Sequence, residues 1–354
     1  MIHRKFIAAA VFTASILGGQ IALRAQTETQ PETQPATRWT SVANDLGGDK
    51  WGFGGVTIMA AVPGSDTVIA GVSECGLWAT RDGGKTWAKL GAKDAVAIAN
   101  HPYQILFDPK NPRTFWESGN TGPGIFRTDD GGESFARVGN IENVDGLGID
   151  FTDTQRQTLV AGLHEQERST QKSGDGGKTW QIIGDKLPAK TNISNDVLVF
   201  DAKTYLVNAA GWKRDGATVL AFGIYRTDDG GKSFSKVSDA GPNGPALVAS
   251  DGAIYWQTLW NKGLIKSVDN GKTWQPLSGP VMVNPIELPG GKLLAAVDSQ
   301  LYVSSDAGKS WQPWGGPIPF KPSGLTFSAQ TRSLFAWRST EAKEDFVIAR
   351  WELP

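Results

Sequence analysis

Residues 227–234 read Thr-Asp-Asp-Gly-Gly-Lys-Ser-Phe, and this octapeptide decides the fold because its pattern recurs along the chain. The pattern is Ser or Thr first, Asp third, Gly fifth, Ser or Thr seventh and an aromatic residue last. The six copies occupy residues 80–87, 128–135, 173–180, 227–234, 267–274 and 304–311. Such a pattern predicts a turn in which the aspartate accepts backbone N–H groups, the glycine takes a positive φ and the aromatic ring packs inward.

The spacing of the copies predicts the architecture. Their aspartates are Asp82, Asp130, Asp175, Asp229, Asp269 and Asp306, separated by 48, 45, 54, 40 and 37 residues. This period is typical of one four-stranded propeller blade per copy. A seventh unit with three short β runs follows at residues 323–351, without an octapeptide, while residues 38–42 resemble the strand that normally follows one. We therefore predict an all-β, seven-bladed β-propeller whose N-terminal strand closes the last blade and leaves no free sheet edge. Rings of six or eight blades are the alternatives.

Composition excludes three classes of protein. The chain has 354 residues, with 35 Lys and Arg against 36 Asp and Glu, and a net charge of -1, so it offers no basic field for a nucleic acid. Its 40% hydrophobic and 20% charged residues fit neither a disordered chain nor a membrane-spanning bundle. We expect no nucleic-acid partner.

The N-terminus indicates export. His3, Arg4 and Lys5 precede an apolar run over residues 6–23, and Ala25 marks the expected cleavage point. An uncleaved membrane anchor is the alternative, but Gly18, Gly19 and Gln20 interrupt a run already short for a span. We predict a signal peptide at 1–25, a disordered polar linker at 26–38 and the propeller at 39–354. The exported protein, periplasmic or secreted, is then a monomer without membrane attachment, and its single Cys75 forms no intrachain disulfide.

The octapeptides resemble those of the Asp-box (BNR) repeat proteins, a group of β-propellers that includes sialidases, xyloglucanases, the sortilin (VPS10-type) ectodomain and a photosystem II assembly factor. Residues 107–116 followed by 124–132, and the opening at 39–42 and 52–56, look most like the xyloglucanase and sortilin branches. The resemblance covers nearly the whole chain after the linker. It implies a propeller strongly and an activity only weakly.

Two departures from that resemblance affect the expected activity. The xyloglucanases have two such rings with a catalytic aspartate from each, whereas this chain has one ring. The first aspartate would fall near residues 73–76, which read Ser-Glu-Cys-Gly, so Glu74 is at best a displaced substitute. The sialidases need an Arg-Ile-Pro motif near the N-terminus, and the sequence lacks it. Sialidase activity is therefore disfavoured.

Function is expected at the end of the ring opposite the octapeptides, where loops join second to third strands and one blade to the next. Five carboxylates fall in those loops: Asp49, Glu74, Glu117, Glu165 and Glu167. Glycoside hydrolysis needs two carboxyl groups about 5 to 9.5 Å apart. We predict Glu74 and Glu165 as the catalytic pair, because both adjoin strand ends; solvated loop carboxylates without a catalytic role are the alternative.

Other residues in these loops are predicted to bind the ligand. Tryptophan side chains can stack on sugar rings or simply pack the loops, and the two histidines after residue 25 can contact the ligand or remain ordinary polar loop residues. The predicted ligand-binding residues are Trp51, His101, Glu117, His164, Trp212, Arg214 and Trp260. His101 and His164 could also form a metal site with Glu165, but residues 164–168 do not read His-Glu-x-x-His, and the octapeptides supply too few oxygens for calcium. We expect neither a metal nor a cofactor.

Two functions remain open at this stage. The first is an exported protein that binds, and possibly hydrolyses, a polysaccharide or oligosaccharide. The second is a non-catalytic scaffold that binds a protein or peptide, as in the sortilin and assembly-factor branches. The sequence leaves open whether the protein is an enzyme.

Overall fold

The computed structural model describes residues 38–48, 50–91, 101–189, 196–209, 222–258, 263–279, 283–341 and 346–353. The predicted signal peptide at 1–25 and nearly all of the predicted linker lie outside these residues. Within them, no helix is long and apolar enough to cross a membrane.

The described residues form seven four-stranded antiparallel sheets, which confirms the predicted seven-bladed β-propeller. Blade 1 contains β2 (Val56–Ala61), β3 (Val68–Val72), β4 (Gly76–Thr80) and β5 (Ala88–Lys89). Blade 2 contains β6 (His101–Phe107), β7 (Phe115–Asn120), β8 (Ile125–Thr128) and β9 (Ala136–Arg137). Blade 3 contains β10 (Val144–Ile149), β11 (Leu159–Leu163), β12 (Gln171–Ser173) and β13 (Gln181–Ile182). Blade 4 contains β14 (Val197–Val199), β15 (Tyr205–Ala209), β16 (Gly223–Thr227) and β17 (Ser235–Ser238).

The remaining blades follow the same order from the innermost strand outward. Blade 5 contains β18 (Leu247–Val248), β19 (Ile254–Gln257), β20 (Leu264–Ser267) and β21 (Gln275–Leu277). Blade 6 contains β22 (Ile286–Leu288), β23 (Lys292–Val297), β24 (Gln300–Ser304) and β25 (Gln312–Pro313). Blade 7 contains β26 (Gly324–Ser328), β27 (Ser333–Trp337), β28 (Ile348–Glu352) and, outermost, β1 (Thr40–Ser41).

The N-terminal strand closes the ring, as predicted. In blade 7, Thr40 of β1 lies opposite Arg350 of β28, and the backbone N–H of Val42 donates to the carbonyl of Ile348 at 3.0 Å. The innermost strands of blades 7 and 1, β26 and β2, contact each other. The outermost position of blade 7, which has no octapeptide of its own, is therefore filled from the other end of the chain.

Each octapeptide forms the turn between the third and fourth strands of its blade. In the first copy, the Thr80 hydroxyl donates to Asp82 at 2.9 Å and accepts the Gly84 N–H at 2.7 Å. Asp82 also accepts the backbone N–H and the hydroxyl of Thr86, and these two bonds lower the pKa of Asp82 to about 2. The same set of bonds is made around the other five aspartates, Asp130, Asp175, Asp229, Asp269 and Asp306.

The fifth residue of each turn is a glycine that lies against a neighbouring side chain. Gly177 has a φ of +90°, and an added Cβ would lie 2.1 Å from Val138 of the preceding blade. A side chain cannot fit at that distance, so the turn requires glycine both for its backbone conformation and for the contact between blades.

Replacing Gly177 with alanine is expected to lower the free energy of unfolding by about 1–3 kcal/mol more than replacing Gly252 with alanine. Gly252 has a similar φ of +83° but has nothing within 4 Å of an added Cβ, so it controls for backbone strain alone. Denaturant unfolding of the two variants measures the difference. Equal losses of stability would contradict a role for the glycine in contact between blades.

Candidate functional site

The two ends of the ring differ in what they carry. The third strands of blades 1 to 6 run into the octapeptide turns at one end. The opposite end, here called the mouth, contains the loops at 73–75, 121–124 and 164–170 and the first residues of the innermost strands.

Three consecutive innermost strands are irregular close to the mouth. In β2, β6 and β10 the pairing register shifts by one residue, so that no residue of the neighbouring strand lies directly opposite Thr57, Tyr103 or Asp145 in the register. Such bulges re-aim a side chain and are common near functional sites. Here they place a hydroxyl, a phenol and a carboxylate on adjacent blades.

Asp145 organises the first group of polar side chains. It is 1% exposed and accepts a hydrogen bond from the Asn120 side chain at 2.9 Å. Nδ1 of His164 lies 2.9 Å from both of its oxygens, so the ring donates to the carboxylate from that nitrogen. The other ring nitrogen, Nε2, is then on the side of Glu165, whose Oε1 is 3.9 Å away. A buried acid thus orients a half-exposed imidazole.

Asp196 organises the second group. It accepts the Tyr103 hydroxyl at 3.0 Å and the Asn208 side-chain amide at 3.2 Å, and is 3% exposed. Burial raises the pKa of Asp196 to about 7; the Tyr103 bond opposes this shift and the charge of Asp145 adds to it. Burial and the same two carboxylates raise the pKa of Tyr103 well above 10. The set of polar side chains around Asp145 therefore interacts electrostatically with the set around Asp196, across blades 2, 3 and 4.

The two histidines have opposite pKa shifts. The hydrogen bond to Asp145 raises the pKa of His164, although burial opposes it. Burial lowers the pKa of His101, and the nearby His164 adds to that shift. Nδ1 of His101 is 3.2 Å from the Ser73 hydroxyl, and its ring stacks on Phe53 with 6.1 Å between centroids. Near pH 6.5, His164 favours the charged form and His101 the neutral form.

The predicted catalytic carboxylates lie on separate loops of the mouth. Glu74 and Glu165 are exposed and have φ values of +61° and +50°. They follow the second strands of blades 1 and 3, and blade 2 lies between them. Their pairing as acid and base stays a prediction.

Two predicted ligand-binding residues, Trp51 and Glu117, are buried. Trp51 is 7% exposed, packs in a hydrophobic cluster with Leu46 and Val72, and donates its indole N–H to the Gly47 carbonyl, so its ring face is covered. Glu117 is 0% exposed in the middle of strand β7. Both side chains pack inside the fold, and their role in ligand binding stays a prediction.

The other predicted residues fall into two groups. His101 and His164 are at the mouth in the network described above. Trp212, Arg214 and Trp260 lie outside the described residues, as does Asp49. Among the described residues, no group of three or more His, Cys, Asp or Glu side chains is placed to hold a metal ion.

Sequence reasoning missed the acidic centres of both networks, Asp145 and Asp196. Both lie at the start of an innermost strand, and the position of Asp145 depends on a bulge that a single sequence does not reveal. Asn120 and Asn208 carried a usable signal, because each places an amide at or next to the last residue of a buried second strand. A polar residue at that recurring position points toward the mouth.

Comparison with known proteins shows the fold. No protein-family model matches the chain, and no curated protein matches it in sequence. In three dimensions it is similar to a GH74 enzyme of Niastella koreensis, with a TM-score of 0.60 and 17% identity, over 86% of this chain and 53% of that one. It is also similar to YCF48 bound to D1 peptide, with a TM-score of 0.57 and 14% identity, over 91% of this chain and 100% of that one.

A third similar structure is the extracellular domain of the putative one component system BT4673 from B. thetaiotaomicron. The TM-score is 0.60 and the identity 12%, over 89% of this chain and 40% of that one. The chain thus spans about half the length of the GH74 enzyme and less than half of the BT4673 domain. At such identities the likeness concerns the fold alone.

Replacing Asp196 with asparagine is expected to make the stability of the protein less dependent on pH between about 4 and 7. The folded carboxyl group keeps its proton up to a pKa of about 7, whereas an unfolded one loses it near 3.8. Stability is therefore lost as pH rises through this window, by at most about 1.4 kcal/mol per pH unit. The Asp196→Asn variant is expected not to lose stability in this way. Melting temperatures of variant and wild type from pH 4 to 8 measure the difference. Parallel curves for variant and wild type would contradict the raised pKa.

Proposed function

We propose that this protein binds a carbohydrate at the mouth of its ring. The observation that carries the proposal is the buried Asp145, which orients His164 and leaves Nε2 of that ring toward the loops. Burying a carboxylate is costly, and perturbed ionisable groups concentrated at one place are typical of functional sites. A fixed imidazole beside the Glu165 carboxylate supplies both a donor and an acceptor, which neighbouring sugar hydroxyl groups need.

An aromatic residue supports the same ligand class. Phe53 is 78% exposed, and its ring stacks on His101 beside the polar network. An exposed flat ring next to hydrogen-bonding groups can pack against the C–H face of a sugar while the polar groups bind its hydroxyls. Likeness to the GH74 enzyme's fold agrees with this ligand class.

Hydrolysis is the further step that Glu74 and Glu165 would perform. Both carboxylates are exposed, and a glycosidic bond held between them would be cleaved if they approach within about 5 to 9.5 Å. The proposal includes export through the segment at residues 1–25, which would place the site in contact with extracellular or periplasmic polysaccharide.

A second candidate is binding of a peptide. One observation favours it: this chain matches all of YCF48, a single ring that binds the D1 peptide, but only about half of the GH74 enzyme. The xyloglucanases that the sequence resembles form their cleft between two rings. The second of those rings has no counterpart in this propeller. Under this alternative the mouth would hold a peptide and cleave nothing.

A glycan array with the protein from residue 26 onward tests the first proposal. The wild-type protein is expected to bind at least one oligosaccharide, and His164→Ala and Asp145→Asn to weaken that binding at least tenfold because the imidazole is lost or misoriented. Asp66→Asn, an exposed carboxylate in the turn between β2 and β3, is the control and should bind like wild type. Absence of binding to every glycan, together with binding to peptides, would favour the second candidate.

Release of reducing sugar from any polysaccharide that binds tests hydrolysis. If Glu74 and Glu165 form the catalytic pair, Glu74→Gln and Glu165→Gln should each reduce the rate at least a hundredfold while binding persists. Release at an unchanged rate in both variants would exclude them, and no release from the wild type would leave a binding protein.

A further inference from the structure

A cavity of about 470 Å³ opens between blades 2 and 3, on the outer side of the loop that carries His164. Its walls come from the connection between these blades at residues 140–143, from the loop after β11 and from the octapeptide turn of blade 3. This volume is within the range of about 300–1,000 Å³ that is common for small-molecule sites. It is separate from the two acidic networks of the mouth.

The cavity lining is rich in amide side chains. Asn140, Asn143, Gln166 and Gln171 line it. A side-chain amide has both a donor and an acceptor, which matches the paired donor and acceptor character of sugar hydroxyl groups. In Asn143 the amide oxygen already accepts the Gly122 N–H at 3.1 Å, so its NH2 group is the part left for a ligand. Asn140 and Gln166 are exposed, so a ligand can reach them without opening the fold.

Trp180 gives the cavity one flat aromatic wall. Its indole N–H is already bound to the Gly177 carbonyl at 3.0 Å, and the ring packs against the core cluster that contains Trp116 and Leu159. The side chain nevertheless stays half-buried. The core therefore holds the indole ring in place. Because its N–H is already bonded, the ring can offer a ligand in the cavity only its apolar surface.

Charge and apolar area restrict the ligand class. The cavity has one acidic and one basic lining residue, Glu142 and Lys178, and Glu142 is paired with Arg137 at 3.3 Å. The lining is thus close to neutral. Its aliphatic residues, Ile141 and Leu163, are buried and present little surface to a peptide side chain. A neutral, hydroxyl-rich ligand suits these walls better than a peptide or an anion.

We infer that this cavity is a second carbohydrate site, specific for neutral oligosaccharides. The amides bind the hydroxyl groups, and Trp180 packs against one sugar face. Asn143 connects it to the mouth, because its carbonyl accepts the His164 backbone N–H at 2.7 Å. The inference extends the proposed function, from which it takes the ligand class, but it concerns different residues and is tested apart from it.

Calorimetric titration with neutral gluco-, manno-, galacto- and xylo-oligosaccharides of two to six units tests the inference. Gln166→Ala combined with Gln171→Ala should weaken binding of at least one of these sugars at least tenfold. Lys178→Ala should weaken it about threefold, whereas Lys85→Ala, at the same position of the blade 1 turn, should have no effect. All four changes affect exposed or half-buried polar residues, and melting temperatures verify that each variant is folded.

The mouth variant His164→Ala separates this inference from the proposed function. If both are correct, each set of variants removes one binding site and leaves the other. Loss of binding in His164→Ala with wild-type behaviour of the cavity variants would overturn the second site and keep the first. Loss of binding only in the cavity variants would keep the second site and overturn binding at the mouth. Failure of every neutral oligosaccharide to bind the wild type, or binding of peptides in the cavity instead, would overturn the inference.

Discussion

The structure depends on the hydrogen bonds that one aspartate makes inside each octapeptide turn. The carboxylate of Asp229, for example, accepts the hydroxyl of Thr227, the backbone N–H of Lys232 and both the N–H and the hydroxyl of Ser233. These bonds fix the link between the third and fourth strands, and the adjacent glycine allows the turn to reach the preceding blade. Because six blades share this turn, one end of the ring is occupied by structural turns, and the loops at the other end are free to carry a site.

The mouth contains two buried carboxylates, each with its own hydrogen-bond partners. Asp145 and Asp196 are both buried, and the charge of Asp145 adds to the raised pKa of Asp196. Burying carboxylates lowers stability unless each one is hydrogen-bonded. Asn120, His164, Tyr103 and Asn208 provide those bonds. As a result, the His164 imidazole is hydrogen-bonded to a buried carboxylate, and the Asp196 carboxyl group keeps its proton up to a pKa of about 7. A polar region that contains both a raised-pKa imidazole and a protonated carboxyl group offers varied hydrogen-bonding partners to a polar ligand.

The sequence predicts this fold well because the fold is repetitive. The spacing of the octapeptides predicted the number of blades, and residues 38–42, which look like a strand without its turn, predicted the closure through β1. The site was harder to predict. His101 and His164 were chosen because histidines are rare in this chain, but Asp145 was missed because its position depends on the pairing register of β10. Trp51 and Glu117 were assigned to the surface because their burial depends on packing between segments distant in sequence.

At the mouth, the buried Asp145 orients His164 and raises the pKa of its ring. Titration of the histidine ring signals by NMR tests it directly, because a protein starting at residue 26 contains only His101 and His164. We expect a pKa above 6.5 for His164 and below 6.5 for His101, with the His164 value falling in Asp145→Asn. Two histidines that titrate together near pH 6.5, unaffected by that substitution, would contradict it.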